Sequence, residues 1–234
     1  MPLAKSNNIL VTRSLNSEHL KYAKELNLSV TAKAFITVDL QELTEDTINR
    51  INTKEQSSWI FTSQNAVKSI SDHIDNLINI KDKKVFAVGI KTAHALLDLG
   101  IKASVPKLHN SQSLIDLLET QSANSYIHFS GNLRQSNISE FMQEKEFEFE
   151  EIECYKTNQT QPDLEVSTFD AVCFCSPSAV VSFFSKYKIH EKIPCVAIGS
   201  TTAVKLLDYS EHVVMADNTN VYSLLEMCHN YINS

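Results

Sequence analysis

The sequence predicts an α/β protein with parallel sheets, built by duplication. Three observations predict it. Short apolar runs each lead into a helical pattern, motifs recur at an offset of about 110 residues, and glycine and proline are scarce. Ile9-Leu10-Val11 is the first strand, followed by a polar turn and by Leu15, Leu20, Ala23 and Leu26 at helical spacing. Trp59-Ile60-Phe61 leads into Ala66, Val67 and Ile70, and Val85-Phe86-Ala87-Val88 into Ala93, Leu96 and Leu97. Tyr126-Ile127-His128-Phe129 leads into Ile138, Phe141 and Met142. Ala171-Val172-Cys173-Phe174-Cys175 leads into Val180, Val181, Phe183 and Phe184, and Cys195-Val196-Ala197-Ile198 into Ala203, Leu206 and Leu207. Parallel strands need such crossovers, because the chain must return to the same edge before the next strand begins.

The repeat is read residue by residue. Phe61-Thr62-Ser63-Gln64-Asn65-Ala66-Val67 matches Phe174-Cys175-Ser176-Pro177-Ser178-Ala179-Val180. Val88-Gly89-Ile90-Lys91-Thr92-Ala93 matches Ile198-Gly199-Ser200-Thr201-Thr202-Ala203, and Ser113-Leu114-Ile115-Asp116 matches Ser223-Leu224-Leu225-Glu226. Solenoid repeats run about 20–50 residues, so this longer offset fits a duplicated α/β domain.

Composition narrows the function. The chain has 234 residues, room for one large domain or two small ones with working cores. Four glycines and five prolines are too few for the turns of an all-β sandwich or barrel. The net charge of −7 argues against nucleic acid, whose partners carry a basic patch. The densest basic cluster, Lys81, Lys83 and Lys84, reads as a solvated loop. Five cysteines without C-x-x-C, and eight histidines without ligand spacing, predict no metal site. Met1-Pro2-Leu3-Ala4-Lys5 lacks the apolar core of a secretory signal, and no apolar run is long enough to span a membrane. A cytoplasmic protein is expected.

Candidate chemistry gathers where strands give way to helices. Gly89, Gly131 and Gly199 sit at such junctions, as do Thr62-Ser63, Thr92, Ser130, Ser176, Ser178 and Ser200-Thr201-Thr202. Ser and Thr there cap free helix N–H groups, and the same N–H groups can hold a carboxylate or phosphate. In open α/β sheets this edge is also where ligands bind. Each glycine reads equally as a tight turn, and each hydroxyl singly as a cap. Neither G-x-G-x-x-G nor G-x-x-x-x-G-K-[ST] occurs, and Ser176 lacks a G-x-S-x-G context. His94 and His128 read as surface or structural residues. The pattern describes a site that binds and shapes an anion with little side-chain chemistry.

Taken together these motifs resemble the uroporphyrinogen-III synthase family. The resemblance rests on Ile9-Leu10-Val11-Thr12-Arg13, the two matched repeats, and Ile152-Glu153-Cys154-Tyr155-Lys156-Thr157. It implies two flavodoxin-like parallel-sheet domains joined by a two-stranded linker. One domain is discontinuous, residues 1–36 plus 158–234. The other spans 40–151, with linker strands near 35–40 and 151–157. The implied reaction cyclises hydroxymethylbilane, a linear tetrapyrrole with acetate and propionate groups. Its terminal hydroxyl leaves, a spiro intermediate forms, and the last pyrrole ring inverts to give uroporphyrinogen III and water. That is a hydro-lyase of haem biosynthesis, needing no cofactor and expected as a monomer. By resemblance Tyr155 is the candidate acid, since a phenol stays protonated and can donate to a departing oxygen. Read without the resemblance, it is an aromatic packed at a domain junction. Ser63, Thr92, Ser176, Ser178, Gly199, Thr201 and Thr202 carry over as substrate-binding positions. Arg13 is a candidate partner for a substrate carboxylate, or else a surface arginine. The chain departs from the family pattern at Leu28-Ser29-Val30-Thr31-Ala32 and at Ile90-Lys91. The alternative is a non-enzymatic anion- or tetrapyrrole-binding sensor with the same fold.

Overall fold

A computed structural model describes residues 7–77 and 83–234. The Met1–Lys5 segment and Lys81 lie outside them. The chain divides into two compact units, one formed by residues 1–37 and 158–234, the other by 38–157.

The first unit is a five-stranded sheet in the order β10-β9-β8-β1-β2. Its strands are β1 (Asn7–Val11), β2 (Leu28–Ala32), β8 (Ala171–Phe174), β9 (Cys195–Ala197) and β10 (Val213–Met215), all paired in parallel. Alternation along the strands divides their side chains between two cores. Ile9, Val11, Ala171, Cys173 and Val196 share one core with residues of α1 (Ser17–Glu25) and α9 (Val221–Ile232). Leu10, Val172, Phe174, Cys195 and Ala197 share the other with α7 (Pro177–Phe184) and α8 (Ser200–Leu206). Burial on both faces explains why these strands read as continuous apolar runs.

The second unit carries a sheet in the order β3-β7-β6-β4-β5. It comprises β3 (Ile36–Leu40), β4 (Ser58–Phe61), β5 (Val85–Ala87), β6 (Ser125–Gly131) and β7 (Glu148–Gln159). Trp59, Phe61, Ile127 and Phe129 pack with α2 (Glu45–Thr53), α3 (Gln64–Ser71) and α4 (Ile90–Asp98). Ile60, Phe86 and Tyr126 pack on the other face with α5 (Ser111–Glu119) and α6 (Asn137–Glu144). Phe61 and Phe129 stack with centroids 4.7 Å apart, and Trp59 lies 4.9 Å from Phe129.

All six apolar runs form strands, and the two-sheet α/β class stands. Four strands lie outside those runs: β3 and β7, which the family resemblance places as linker strands, and two that nothing in the sequence marked, β2 and β10. These last two are sheet edges: β2 is interrupted by Ser29 and Thr31, and β10 is a short, partly exposed apolar run, Val213-Val214-Met215, with no helical pattern directly after it. Lys83 also departs from the solvated-loop reading. Its ammonium turns inward to the carbonyls of Lys54, at 3.2 Å, and Glu55, and burial pushes its pKa down. The duplication recurs in detail. Asn110 caps α5 by accepting from Ser113 N at 2.9 Å, and Asn220 caps α9 from Ser223 N at 2.9 Å.

Phe129 sits fully buried between Trp59 and Phe61. Phe129→Ala is expected to cost about 3–5 kcal/mol of unfolding free energy, read from urea denaturation.

Candidate functional site at the strand ends

In the first sheet, and among β4, β5, β6 and β7 of the second, parallel pairing brings the C-terminal ends of the strands to one edge, whereas β3 runs antiparallel to β7, with Gln41 N donating to Cys154 O and Thr160 N to Phe35 O. In each unit the chain also reverses its direction of progress across the sheet, leaving a crevice beyond those ends. In the first unit the reversal lies between β1 and β8, and in the second between β4 and β6.

Thr12 marks the first reversal. Buried directly after β1, it donates to Cys173 O at 3.1 Å and accepts from Cys175 N at 3.2 Å. One hydroxyl thus bonds the ends of neighbouring strands. Ser176 follows and caps α7, accepting from Ala179 N at 3.2 Å, and its Oγ lies 3.1 Å from Ser178 Oγ. Arg13 is exposed, and its charge opposes the burial that pushes the Cys175 thiol up to about 12. At the adjacent β9 end, Gly199 precedes α8. Thr202 is buried in the first turn, while Thr201 is exposed. A Cβ on Gly199 would meet Thr219 Oγ1 at 3.2 Å, so a substituent there crowds the following loop.

The second unit repeats the plan. Ser63 caps α3, accepting from Asn65 N at 3.1 Å. Gly89 precedes α4, where Thr92 is buried in the first turn, as Thr202 is in α8. Across the β6 edge lies Tyr155. The register pairs Ser130 with Glu153 and then Gly131 with Tyr155, leaving Cys154 as an extra residue. That bulge reverses the alternation of β7. Ile152 and Cys154 face the core beneath α3 and α4, and the half-buried Tyr155 packs on that same side. Its ring lies directly over Gly131. A Cβ there would stand 2.4 Å from Cε2 and Cζ and 2.9 Å from the phenol oxygen. Only glycine leaves room for the ring.

Predicted residues therefore meet in two places, Ser176 with Ser178 and Gly199 with Thr201 and Thr202, while Ser63 and Thr92 stand at the starts of α3 and α4, beyond the paired strands β4 and β5. Sequence reasoning passed over Gly131 as the seat of Tyr155 and Thr12 as the bond between strand ends. It read His128 as a surface or structural residue, and the structure buries it in a polar line. This ring is 1 % exposed, with Nε2 3.2 Å from Thr62 Oγ1 and Nδ1 3.2 Å from Glu151 Oε1. Arg134 Nε lies 2.9 Å from the other Glu151 oxygen. The His128 hydrogen bond, aided by Arg134, holds the Glu151 carboxyl below its ordinary value against the opposing effect of burial. The available signal was strand alternation, which places His128 and Ser130 on one face of β6 and Glu151 and Glu153 on one face of β7.

The cysteines offer no activated nucleophile. Burial pushes Cys154 up to about 12 and Cys195 up to about 11, and the hydrogen bond that the Cys173 thiol donates to Cys228, together with burial, holds Cys173 well above its ordinary value. Among the described residues no cluster of His, Cys, Asp and Glu is arranged to hold a metal. None of their helices is long and apolar enough to cross a membrane. A cavity of about 670 Å³, lined in part by Ile189, Leu207, Tyr209 and His212, opens before β9 and β10, at the opposite end of the strands from these sites.

Comparison with known proteins follows the same lines. The family model described as uroporphyrinogen-III synthase HemD matches residues 24–226. A uroporphyrinogen-III synthetase structure from Helicobacter pylori is 18% identical, with a TM-score of 0.65, covering 96% of this chain and 99% of that one. A mutant uroporphyrinogen III synthase from Thermus thermophilus is 14% identical with a TM-score of 0.76, covering 97% and 99%. The wild-type Thermus enzyme in another crystal form is 16% identical with a TM-score of 0.59, covering 97% and 98%. No curated protein matches the sequence.

Two outcomes test this geometry. Gly131→Ala displaces the Tyr155 ring. In a chain labelled with 3-fluorotyrosine, the Tyr155 resonance, assigned by its loss in Tyr155→Phe, is expected to move while the others hold. Glu151, with its pKa lowered by folding, stabilises the fold above the ordinary value of 4.5, and that contribution is lost as pH falls through its lower folded value. Glu151→Gln is therefore expected to flatten the acid limb of a pH–stability curve while leaving its alkaline limb in place.

Proposed function

The chain belongs to the uroporphyrinogen-III synthase family, which converts hydroxymethylbilane to uroporphyrinogen III in haem biosynthesis, and we propose how its strand ends carry out that reaction. The observation that carries the proposal is the seat of Tyr155 on Gly131, prepared by the Cys154 bulge. A tyrosine used only for packing needs neither an extra residue in its strand nor a bare glycine opposite. Bulges that re-aim a side chain are enriched beside active sites. The phenol acts as the acid that protonates the departing hydroxyl, making the reaction that of a hydro-lyase.

Substrate carboxylates are bound by neutral donors. The first-turn amides and hydroxyls at Ser63, Thr92, Ser176, Ser178, Gly199, Thr201 and Thr202 suit this role, with Arg13 as the cationic partner. Neutral donors suit a chain of net charge −7, which otherwise repels a polyanion. The pyrrole nitrogens supply the electronic push. The protein favours the inverted closure by holding the chain folded, which is positional catalysis. The protein works as a cytoplasmic monomer.

The test generates hydroxymethylbilane in place, adds the protein, oxidises the products and separates the porphyrin isomers. A large excess of isomer III over the protein-free control is expected. Isomer I alone, from folded protein, refutes the reading and leaves a binding protein. Tyr155→Phe is expected to lower the rate about 10²-fold while still yielding isomer III. An unchanged rate, where chemistry is limiting, removes Tyr155 from the acid role.

A further inference from the structure

Thr62, His128, Glu151 and Arg134 form a hydrogen-bonded line at the reversal point of the second sheet, and none of them enters the steps proposed above. Ile60, His128 and Glu151 are lateral neighbours on β4, β6 and β7. Apolar residues of the same face, Ile60 and Phe149 with the Tyr126 ring, pack around them. Packing alone asks for a valine or isoleucine at 128, because a buried polar group must recover its lost hydration. Here the cost is offset by partners at both ring nitrogens, at 3.2 Å each. Beside them Ser130 is fully buried, and its hydroxyl has no hydrogen-bond partner among the described residues. Local departures from packing logic of this kind belong to functional sites.

The direction of each hydrogen bond follows from the chemistry. The Glu151 carboxyl is ionised, held so by His128 and Arg134. A carboxylate only accepts, so His128 Nδ1 carries a proton and donates to it. With that single proton on the ring, Nε2 is the acceptor and Thr62 donates to it. Thr62 thereby spends its only O–H inward. It is half-buried at the end of β4, and what it turns away from the ring is lone pairs. Such a group gives nothing to a carboxylate, which also only accepts. It suits an N–H donor.

We propose that Thr62 accepts a hydrogen bond from a pyrrole N–H of the tetrapyrrole substrate. His128, Glu151 and Arg134 are positioning residues that hold the Thr62 proton inward. This rests on the family reading above. It divides the recognition at this strand end between two chemistries: the first-turn amides of α3 take carboxylates, and Thr62 takes a ring nitrogen. The contact strengthens as hydroxide departs, because growing positive charge makes the ring N–H a better donor. It therefore contributes to kcat as well as to binding.

Two measurements test the line. Nitrogen-15 NMR of His128 is expected to show a protonated Nδ1 and a bare Nε2 in the free protein. A protonated Nε2 turns the Thr62 proton outward and overturns the proposal, whatever the activity. In kinetics, Thr62→Val is expected to lower kcat/KM for isomer III formation about tenfold, with Thr62→Ser restoring it. His128→Asn keeps a donor toward Glu151 but offers Thr62 no acceptor, so it is expected to match Thr62→Val, with the double variant no worse than either. Unchanged kcat/KM in Thr62→Val, with wild type making isomer III, overturns the proposal alone. Absence of isomer III from wild type removes the family reading instead. Should His128→Asn fail to fold, the NMR result and the Thr62 pair still decide.

Discussion

Parallel pairing is the constraint on which the rest depends. A parallel strand is followed by a crossover, and the crossovers here lay helices on both faces of each sheet. The central strands must then be apolar on both sides: β4, β5, β8 and β9 are buried throughout, and β1 and β6 nearly so. Polar groups are pushed to the one place where the backbone leaves the sheet and a helix begins. There the free N–H groups need partners anyway, and Ser63 and Ser176 supply them. The concentration of hydroxyls at that edge is thus a consequence of topology before it is a feature of function. The proposed substrate binding draws on donors that the fold already gathers.

Two local departures from this order give the second unit its chemistry. One extra residue at Cys154 breaks the alternation of β7, so that consecutive side chains, Cys154 and Tyr155, face the same core. The ring then needs the space that Gly131 leaves empty. Bulge and glycine are one device, since either without the other leaves the tyrosine clashing or aimed elsewhere. The second departure is the polar line through His128. It places a titratable ring in an apolar face and offsets that cost with Thr62 on one side and the Glu151–Arg134 pair on the other. Removing one member strands its neighbours, so the line behaves as a unit.

Duplication ties the two units together chemically. Gly89 and Gly199, Thr92 and Thr202, and Asn110 and Asn220 hold equivalent places in equivalent elements. The units differ where chemistry differs. Thr12 in the first unit bonds the two strand ends to each other, whereas Thr62 in the second bonds inward to His128. One reversal point is a structural joint, and the other is a directed acceptor.

The sequence by itself determined the fold class, the duplication and the edge that carries the polar groups. Those signals are local: apolar runs, helical spacing, caps and matched motifs all lie within a few residues of one another. It did not show the edge strands β2, interrupted by Ser29 and Thr31, and β10, a short apolar run with no helical pattern directly after it. Nor did it pair Tyr155 with Gly131, or Thr62 with His128 and Glu151. Those partners lie on three strands distant in the chain, and their meeting depends on register. A shift of a single residue moves a side chain to the opposite face, as the Cys154 bulge shows. Register is set by pairing across the whole sheet, so only the tertiary structure decided which polar residues meet.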